Sequence, residues 1–93
     1  MTMIAVQVLR RTQEAQDIAG FELGRPDGGP LPPFSAGSHI DVQVPGGPMR
    51  QYSLCNDAAE QHRYRIAVLR EPKSRGGSAG MHDSVREGDT LLI

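Results

Sequence analysis

Apolar and polar residues alternate along short segments of the chain, and polar turns, several of them containing glycine and proline, separate these segments. Alternation with a period of two is typical of a β-strand that buries one face. The pattern predicts strands over residues 3–10, 17–23, 38–44, 49–54, 63–69 and 89–93. Between the last two, residues 79–87 predict a short helix, with Ser78 as its N-cap and Gly88 at its C-terminal end.

The apolar positions of these strands lie on one face of each strand and define a candidate core. They are Ala19, Phe21 and Leu23, then Ile40, Val42 and Val44, then Tyr64, Ile66 and Val68. Short antiparallel strands joined by tight turns are typical of sheets that curl until their edges are protected. The sequence therefore predicts an all-β fold: a six-stranded antiparallel barrel, closed or nearly closed, with one short helix.

Composition narrows the class of protein. The chain has 93 residues, enough for one domain, and a formal net charge of -1, which argues against binding to duplex nucleic acid. The single cysteine, Cys55, allows no internal disulfide and no iron–sulfur cluster, and it favours a reducing, cytoplasmic location. The histidines show no metal-site spacing, and neither a signal-peptide pattern nor a membrane-spanning apolar run is present.

The first stretch with candidate chemistry is Arg50-Gln51-Tyr52-Ser53-Leu54, on the fourth predicted strand. Alternation sends Arg50, Tyr52 and Leu54 to one face and Gln51 and Ser53 to the other. A guanidinium can hold a phosphate and a tyrosine ring can lie against a planar group, so the stretch suits a flat anionic ligand. An ordinary amphipathic strand, with the tyrosine in the core and the arginine in solvent, explains the same residues.

The second stretch is Gly76-Gly77-Ser78, directly before the predicted helix. Glycines let a backbone approach a ligand closely, successive N–H groups can surround an anion, and the serine hydroxyl can donate to a phosphate. A flexible glycine loop or an RNA-contacting arginine–glycine tract would look similar. RNA binding also needs exposed aromatic side chains, and the chain has only Phe21, Phe34, Tyr52 and Tyr64, most of which fall at core positions.

Three motifs occur in a characteristic order: R-x-Y-S-L from Arg50, A-V-x-R-E from Ala67, and G-G-S from Gly76. In this order and spacing they resemble the flavin-binding Greek-key barrel of the ferredoxin–NADP reductase superfamily, and most of all the reductase components of Rieske oxygenases. The resemblance runs from about Val6 to the last residue. It implies that residues 1–93 form one flavin-binding barrel domain.

The resemblance assigns a role to each site residue. Arg50 would hold the flavin phosphate, and Tyr52 would lie against the isoalloxazine or the ribityl chain. Ser53, the one catalytic assignment, would hydrogen-bond near N5. The remaining cofactor-binding residues would be Gln51 and Leu54 in the strand motif, Ala67 and Leu69 through backbone groups at the pyrimidine edge, and Gly76, Gly77 and Ser78 at the phosphate. For Tyr52 and Ser53 to touch one ligand, the strand must end or bulge near Ser53.

The resemblance also implies a function: an FMN-binding domain, with FAD as the alternative, of a reductase that passes electrons from NADH through flavin to an iron–sulfur centre. A terminal oxygenase that demethylates or dioxygenates aromatic compounds would be the partner. The nicotinamide-binding and [2Fe–2S] domains of the family are not among these residues. We therefore expect an N-terminal fragment of a longer reductase that does not turn over alone. The alternative is a small barrel that binds another anionic ligand or a protein, without a redox role.

Cys55 and Met81 are predicted to be buried, and His82 to be exposed or hydrogen-bonded.

Overall fold

A computed structural model describes residues 3–71 and 77–93. Six strands and one helix follow in the predicted order. They are β1 (Ala5–Ala15), β2 (Ile18–Gly24), β3 (His39–Gln43), β4 (Met49–Ser53), β5 (Tyr64–Leu69), α1 (Ser78–Ser84) and β6 (Thr90–Leu92). The predicted fold class, a mostly β antiparallel architecture with one short helix, is confirmed.

Two boundaries differ from the prediction by three residues or more. The polar residues 11–16, between the first two predicted strands, indicate a turn, but residues 11–15 continue β1 and pair with β2, and Asp17 makes the tight turn with a positive φ of 64°. The helix ends at Ser84 because Val85 is already extended, with φ -103° and ψ 123°, and its side chain is buried. Gly88, with φ 89°, serves the turn into β6 instead of the end of α1.

All strand pairs are antiparallel, and the order across the sheet is β4-β3-β6-β1-β2-β5. Strands β3, β4 and β5 follow one another along the chain, and β6 returns to lie beside β3, which is a Greek-key arrangement. The edge strands β4 and β5 face each other, but in the described residues only an isolated bridge, Leu54 to Ile66, joins them. The barrel is therefore not closed by a hydrogen-bonded ladder.

The core fills the inside of this curled sheet. The predicted inward residues are buried apart from Ile40, which is half-buried, and Val6, Val8 and Leu91 add to them from β1 and β6. Met81 and Val85 cover one end from α1. No polar or charged side chain is buried among the described residues. None of the helices in residues 3–71 and 77–93 is long and apolar enough to cross a bilayer.

Candidate functional site

The open edge between β4 and β5 is the first part of the candidate site. Strand β4 pairs with β3 as far as Ser53, and the Leu54 N–H then donates to the Ser38 carbonyl at 2.8 Å. At Leu54 the chain crosses to β5, and the Cys55 N–H donates to the Arg65 carbonyl at 2.8 Å. The strand thus ends at Ser53, where the sequence required an end or a bulge. We call the gap between residues 49–53 and 67–69 the β4–β5 seam.

Hydrogen-bond alternation shows which backbone groups of β4 face the β4–β5 seam. In an antiparallel strand, successive residues direct their N–H and C=O groups to opposite neighbours. The Leu54 N–H points to the β3 side and the Cys55 N–H points to β5, so alternation directs the backbone N–H and C=O groups of Tyr52 toward β3. It directs the backbone groups of Gln51 and Ser53 toward the seam, and both of these residues are exposed.

The same argument applies to β5. The Arg65 N–H donates to the Asn56 Oδ1 at 2.8 Å, and the Arg65 carbonyl accepts from Cys55, so both backbone groups of Arg65 face the β4 side. Alternation then turns the N–H and C=O of Ala67 and Leu69 toward the seam. Both residues are exposed, and Leu69 exposes 56% of its surface. The seam is therefore lined from both sides by backbone donors and acceptors, an arrangement suited to the polar edge of a planar heterocycle.

Arg50 and Tyr52 lie on the opposite face of β4 from Gln51 and Ser53. Arg50 stands opposite the buried Val42, and Tyr52 stands opposite Ile40 and packs against the core. The Arg50 side chain donates from Nη1 to the Met49 carbonyl at 3.1 Å and passes over Gly77 at the start of α1. The structure thus brings the two predicted motifs, R-x-Y-S and G-G-S, into contact.

Ser78 is bound by the segment that follows β5 and does not cap its helix. It is the first residue of α1, Gly77 occupies the N-cap position, and no side chain makes a cap hydrogen bond, so the predicted N-cap role of Ser78 is wrong. Its Oγ accepts from the Glu71 N–H at 2.9 Å. Because that contact uses an oxygen lone pair, the hydroxyl hydrogen stays available to donate. Gly76, the other predicted glycine, lies outside the described residues.

Tyr52 lies in the field of two charges, one from its own strand and one from the A-V-x-R-E motif. Partial burial raises the pKa of its phenol, the positive charge of Arg50 lowers that pKa, and the negative charge of Glu71 raises it. The phenol is therefore protonated at neutral pH and can donate a hydrogen bond. Glu71 was not predicted as part of the site; its position in A-V-x-R-E was visible, but its approach to Tyr52 depends on the fold.

We expect substitutions of the two charged neighbours to move the Tyr52 pKa in opposite directions. In a Tyr64→Phe background, which leaves one tyrosine to titrate, Arg50→Met should raise the pKa of Tyr52 and Glu71→Gln should lower it. Absorbance of the tyrosinate between pH 8 and pH 12 measures both (a window of roughly two units around the ordinary tyrosine pKa). Shifts of the same sign in both variants would contradict this arrangement.

Groups from β1, from β5 and from the residue that follows β5 hold helix α1 beside the seam. Arg70 makes a bidentate pair with Asp83, at 2.5 and 2.9 Å, and this contact lowers the pKa of the Asp83 carboxyl. The His82 Nε2 lies 2.7 Å from the Val68 carbonyl oxygen, and the Arg11 Nη2 donates to the His82 carbonyl at 3.1 Å. The predictions of a hydrogen-bonded His82 and a buried Met81 are confirmed.

Two adjacent residues at the end of the strand motif differ in exposure: Leu54 is buried and Cys55 is exposed. The Leu54 side chain belongs to the core, with 7% of its surface exposed, so it does not line an open surface. The prediction of a buried Cys55 is wrong: the residue is exposed, and its thiol donates to the Arg65 carbonyl at 3.2 Å. Cys55 is the first residue after the chain turns from β3 to β5, and the sequence, which predicted the end of the strand, did not show that this end leaves Cys55 exposed. The described residues hold no group of three or more His, Cys, Asp or Glu placed to bind a metal ion.

Comparisons with known proteins agree with this fold and site. No family model matches the chain. It is 54% identical over 91 residues to the vanillate O-demethylase oxidoreductase of Pseudomonas putida, covering 98% of this chain and 29% of that protein. It is 47% identical over 90 residues to the phthalate dioxygenase reductase of Burkholderia cepacia, covering 97% of this chain and 28% of that protein.

The comparison with solved structures identifies the same group of proteins. A structure of phthalate dioxygenase reductase, described as modular for electron transfer from pyridine nucleotides to [2Fe-2S], superposes with a TM-score of 0.94 at 46% identity. It matches over 97% of this chain and 28% of its own. The fold and the seam define a ferredoxin-reductase-type barrel. The chain belongs to the ferredoxin–NADP reductase superfamily, in the group that contains these oxygenase reductases, and spans less than a third of their length.

Proposed function

We propose that this chain is the flavin-binding domain of an NADH-dependent reductase that supplies electrons to a partner oxygenase, in the cytoplasm. The observation that carries the proposal is the β4–β5 seam, with Arg50 against Gly77 beside it. The nicotinamide and [2Fe–2S] steps are assigned in this proposal to parts of a longer reductase outside these residues. The relatives, of which the chain covers 29% and 28%, support that division.

The residues fit a flavin in shape and in charge. The seam offers backbone donors and acceptors from Gln51, Ser53, Ala67 and Leu69 to the polar edge of the ring system. Ser53 is exposed on β4 at the point where the strand ends, so its hydroxyl is free to hydrogen-bond near N5. The bound flavin would supply the redox chemistry, while the chain supplies position and electrostatics.

The phosphate end of the ligand is assigned to Arg50, Gly77 and Ser78. Arg50 brings a permanent positive charge, and the Ser78 hydroxyl, which accepts from the Glu71 N–H, keeps its own hydrogen to donate. Tyr52 is half-buried beside Arg50 on β4, so the open part of its ring can cover the ribityl chain or the isoalloxazine. Gly76 belongs to the same predicted motif and stays part of the proposal.

We favour FMN over FAD because Arg50 and Ser78 form a compact site for one terminal phosphate. The visible spectrum after incubation with each flavin, followed by calorimetric titration, tests the preference. FMN should bind and should bind more tightly than FAD. A much higher affinity for FAD would overturn the choice of cofactor. Protein that stays colourless with both flavins would instead favour a barrel that binds another anion or a protein partner.

We expect Arg50→Ala and Ser78→Ala each to weaken FMN binding about ten- to a hundredfold, because a hydrogen bond to a charged group contributes about 1.5–3 kcal/mol. Matched controls are Arg10→Ala, an exposed arginine of β1, and Ser84→Ala, at the exposed end of α1. Both controls should leave the dissociation constant within about twofold, since neither residue is among those assigned to the flavin. Equal losses in the controls and the site variants would contradict the assignment.

A further inference from the structure

We infer that Gly77 acts on flavin binding through Arg50: the missing side chain at position 77 lets the arginine lie across the start of α1. The resemblance assigned Gly77 to the phosphate through its own backbone. The geometry points instead to a positioning residue, whose contact is with the cation that holds the ligand. This inference rests on the proposed function and specifies how its phosphate site is built.

The contact between the two residues is close along the middle of the arginine side chain. A Cβ at position 77 would lie 2.8 Å from Nε, 3.2 Å from Cγ and 3.5 Å from Cδ of Arg50. Gly77 is buried although Arg50 is exposed, as expected if the arginine covers the glycine. Because the close atoms are in the stem and at its junction with the guanidinium, a methyl group could be accommodated only by moving the charged end.

The sign of φ does not demand a glycine at position 77. Gly77 has φ -75° and ψ -93°, so its conformation is not left-handed, although its ψ lies about 20° beyond the helical range. A cost of that ψ for alanine would be the same with Arg50 present or absent, so the Arg50→Met background separates it from the contact with the arginine. Gly80 provides a contrast within the same helix. A Cβ there would lie 2.7 Å from Cγ1 of the buried Val44, so an added methyl would strain the core and not the site.

Two contacts fix the course of the Arg50 side chain. Its Nη1 donates to the Met49 carbonyl at 3.1 Å on one side, and its stem rests on Gly77 on the other. A cation held in place before the ligand arrives loses less conformational freedom on binding, which raises affinity. Displacing the stem should therefore weaken binding of the phosphate group while the ring system still binds at the seam.

The test compares FMN with riboflavin, which lacks the phosphate, in a double-mutant cycle of Gly77→Ala and Arg50→Met. Gly77→Ala should weaken FMN binding about tenfold or more and leave riboflavin binding within about twofold. In the Arg50→Met background, Gly77→Ala should cause no further loss of FMN affinity, because the residue it acts through is gone. Gly29→Ala, in a loop remote from the seam, controls for a generic glycine substitution.

A measurement without ligand keeps the inference testable if Gly77→Ala fails to fold. In the flavin-free wild-type chain, NMR should show a nuclear Overhauser effect between the Arg50 side-chain methylenes and the Gly77 α protons, and its absence would overturn the inference. So would equal FMN losses from Gly77→Ala in both Arg50 backgrounds, or no loss in either. If the wild type binds neither flavin but shows the Overhauser effect, the proposed function fails while the Arg50–Gly77 contact stands.

Discussion

Replacement of Phe21 by alanine should remove a large part of the stability of this domain. Phe21 is fully buried in β2, between Ile66 of β5 and Arg11 of β1, whose guanidinium carbon lies 5.7 Å from the ring centroid. Truncation of a buried phenylalanine lowers the free energy of unfolding by about 3–5 kcal/mol. A domain of this size has roughly 5–15 kcal/mol in total. Urea unfolding followed by circular dichroism measures the loss.

The chain offers two controls of graded burial. Phe34 is half-buried and packs edge-to-face on Tyr64, with ring centroids 5.4 Å apart, so Phe34→Ala should cost less than Phe21→Ala. Leu9 exposes 48% of its surface, so Leu9→Ala should change the free energy of unfolding by no more than about 0.5 kcal/mol. A Phe21→Ala loss no larger than that of Leu9→Ala would mean that the core is not centred on β2.

The sequence pattern correctly predicted that Phe21 and its neighbours are buried, which shows the part of the fold that such a pattern can predict. Each strand buries one face, so alternation identifies both the strand and its inward residues. The pattern fails where a strand has no buried face. Residues 11–15 read as a turn because they are almost wholly polar, yet they extend β1 through pairing with β2, and Glu14 forms an ion pair with Arg65. Glu14 and Arg65 lie far apart in sequence, and a hairpin segment without a buried face leaves no alternation of apolar and polar residues to detect.

The candidate site likewise has a part that the sequence pattern predicts and a part that only the tertiary fold determines. Alternation correctly separated Arg50 and Tyr52 from Gln51 and Ser53, and the need for both faces to serve one ligand predicted that β4 ends near Ser53. It could not show that the backbone of Gln51 and Ser53 faces β5, because that depends on the register with β3. The passage of Arg50 over Gly77 is likewise a product of the tertiary fold. The motif resemblance named the residues, and the packing shows how they meet.

The largest expected effect concerns NADH: the FMN-loaded chain of 93 residues should be reduced by NADH about as slowly as free FMN. Rapid reduction requires the nicotinamide to be held against the flavin ring at near-attack distance. Such positioning can contribute about 7–11 kcal/mol of the activation barrier. On the proposed function, it comes from parts of a longer reductase. The related phthalate dioxygenase reductase, described as modular, is matched over only 28% of its chain.

Stopped-flow measurement of flavin bleaching by NADH tests this expectation under anaerobic conditions. Free FMN gives the rate without positioning, and intact phthalate dioxygenase reductase from Burkholderia cepacia, a relative of 47% identity, gives the rate with it. The FMN-loaded chain should fall near free FMN and orders of magnitude below the intact relative, since about 7 kcal/mol corresponds to roughly a factor of 10⁵. Bleaching of the loaded chain at a rate near that of the intact relative would mean that the barrel itself holds the nicotinamide. The exposed edge of the seam at Leu69 would then be the first place to look for that second site, because its apolar side chain stands open beside the groups assigned to the flavin.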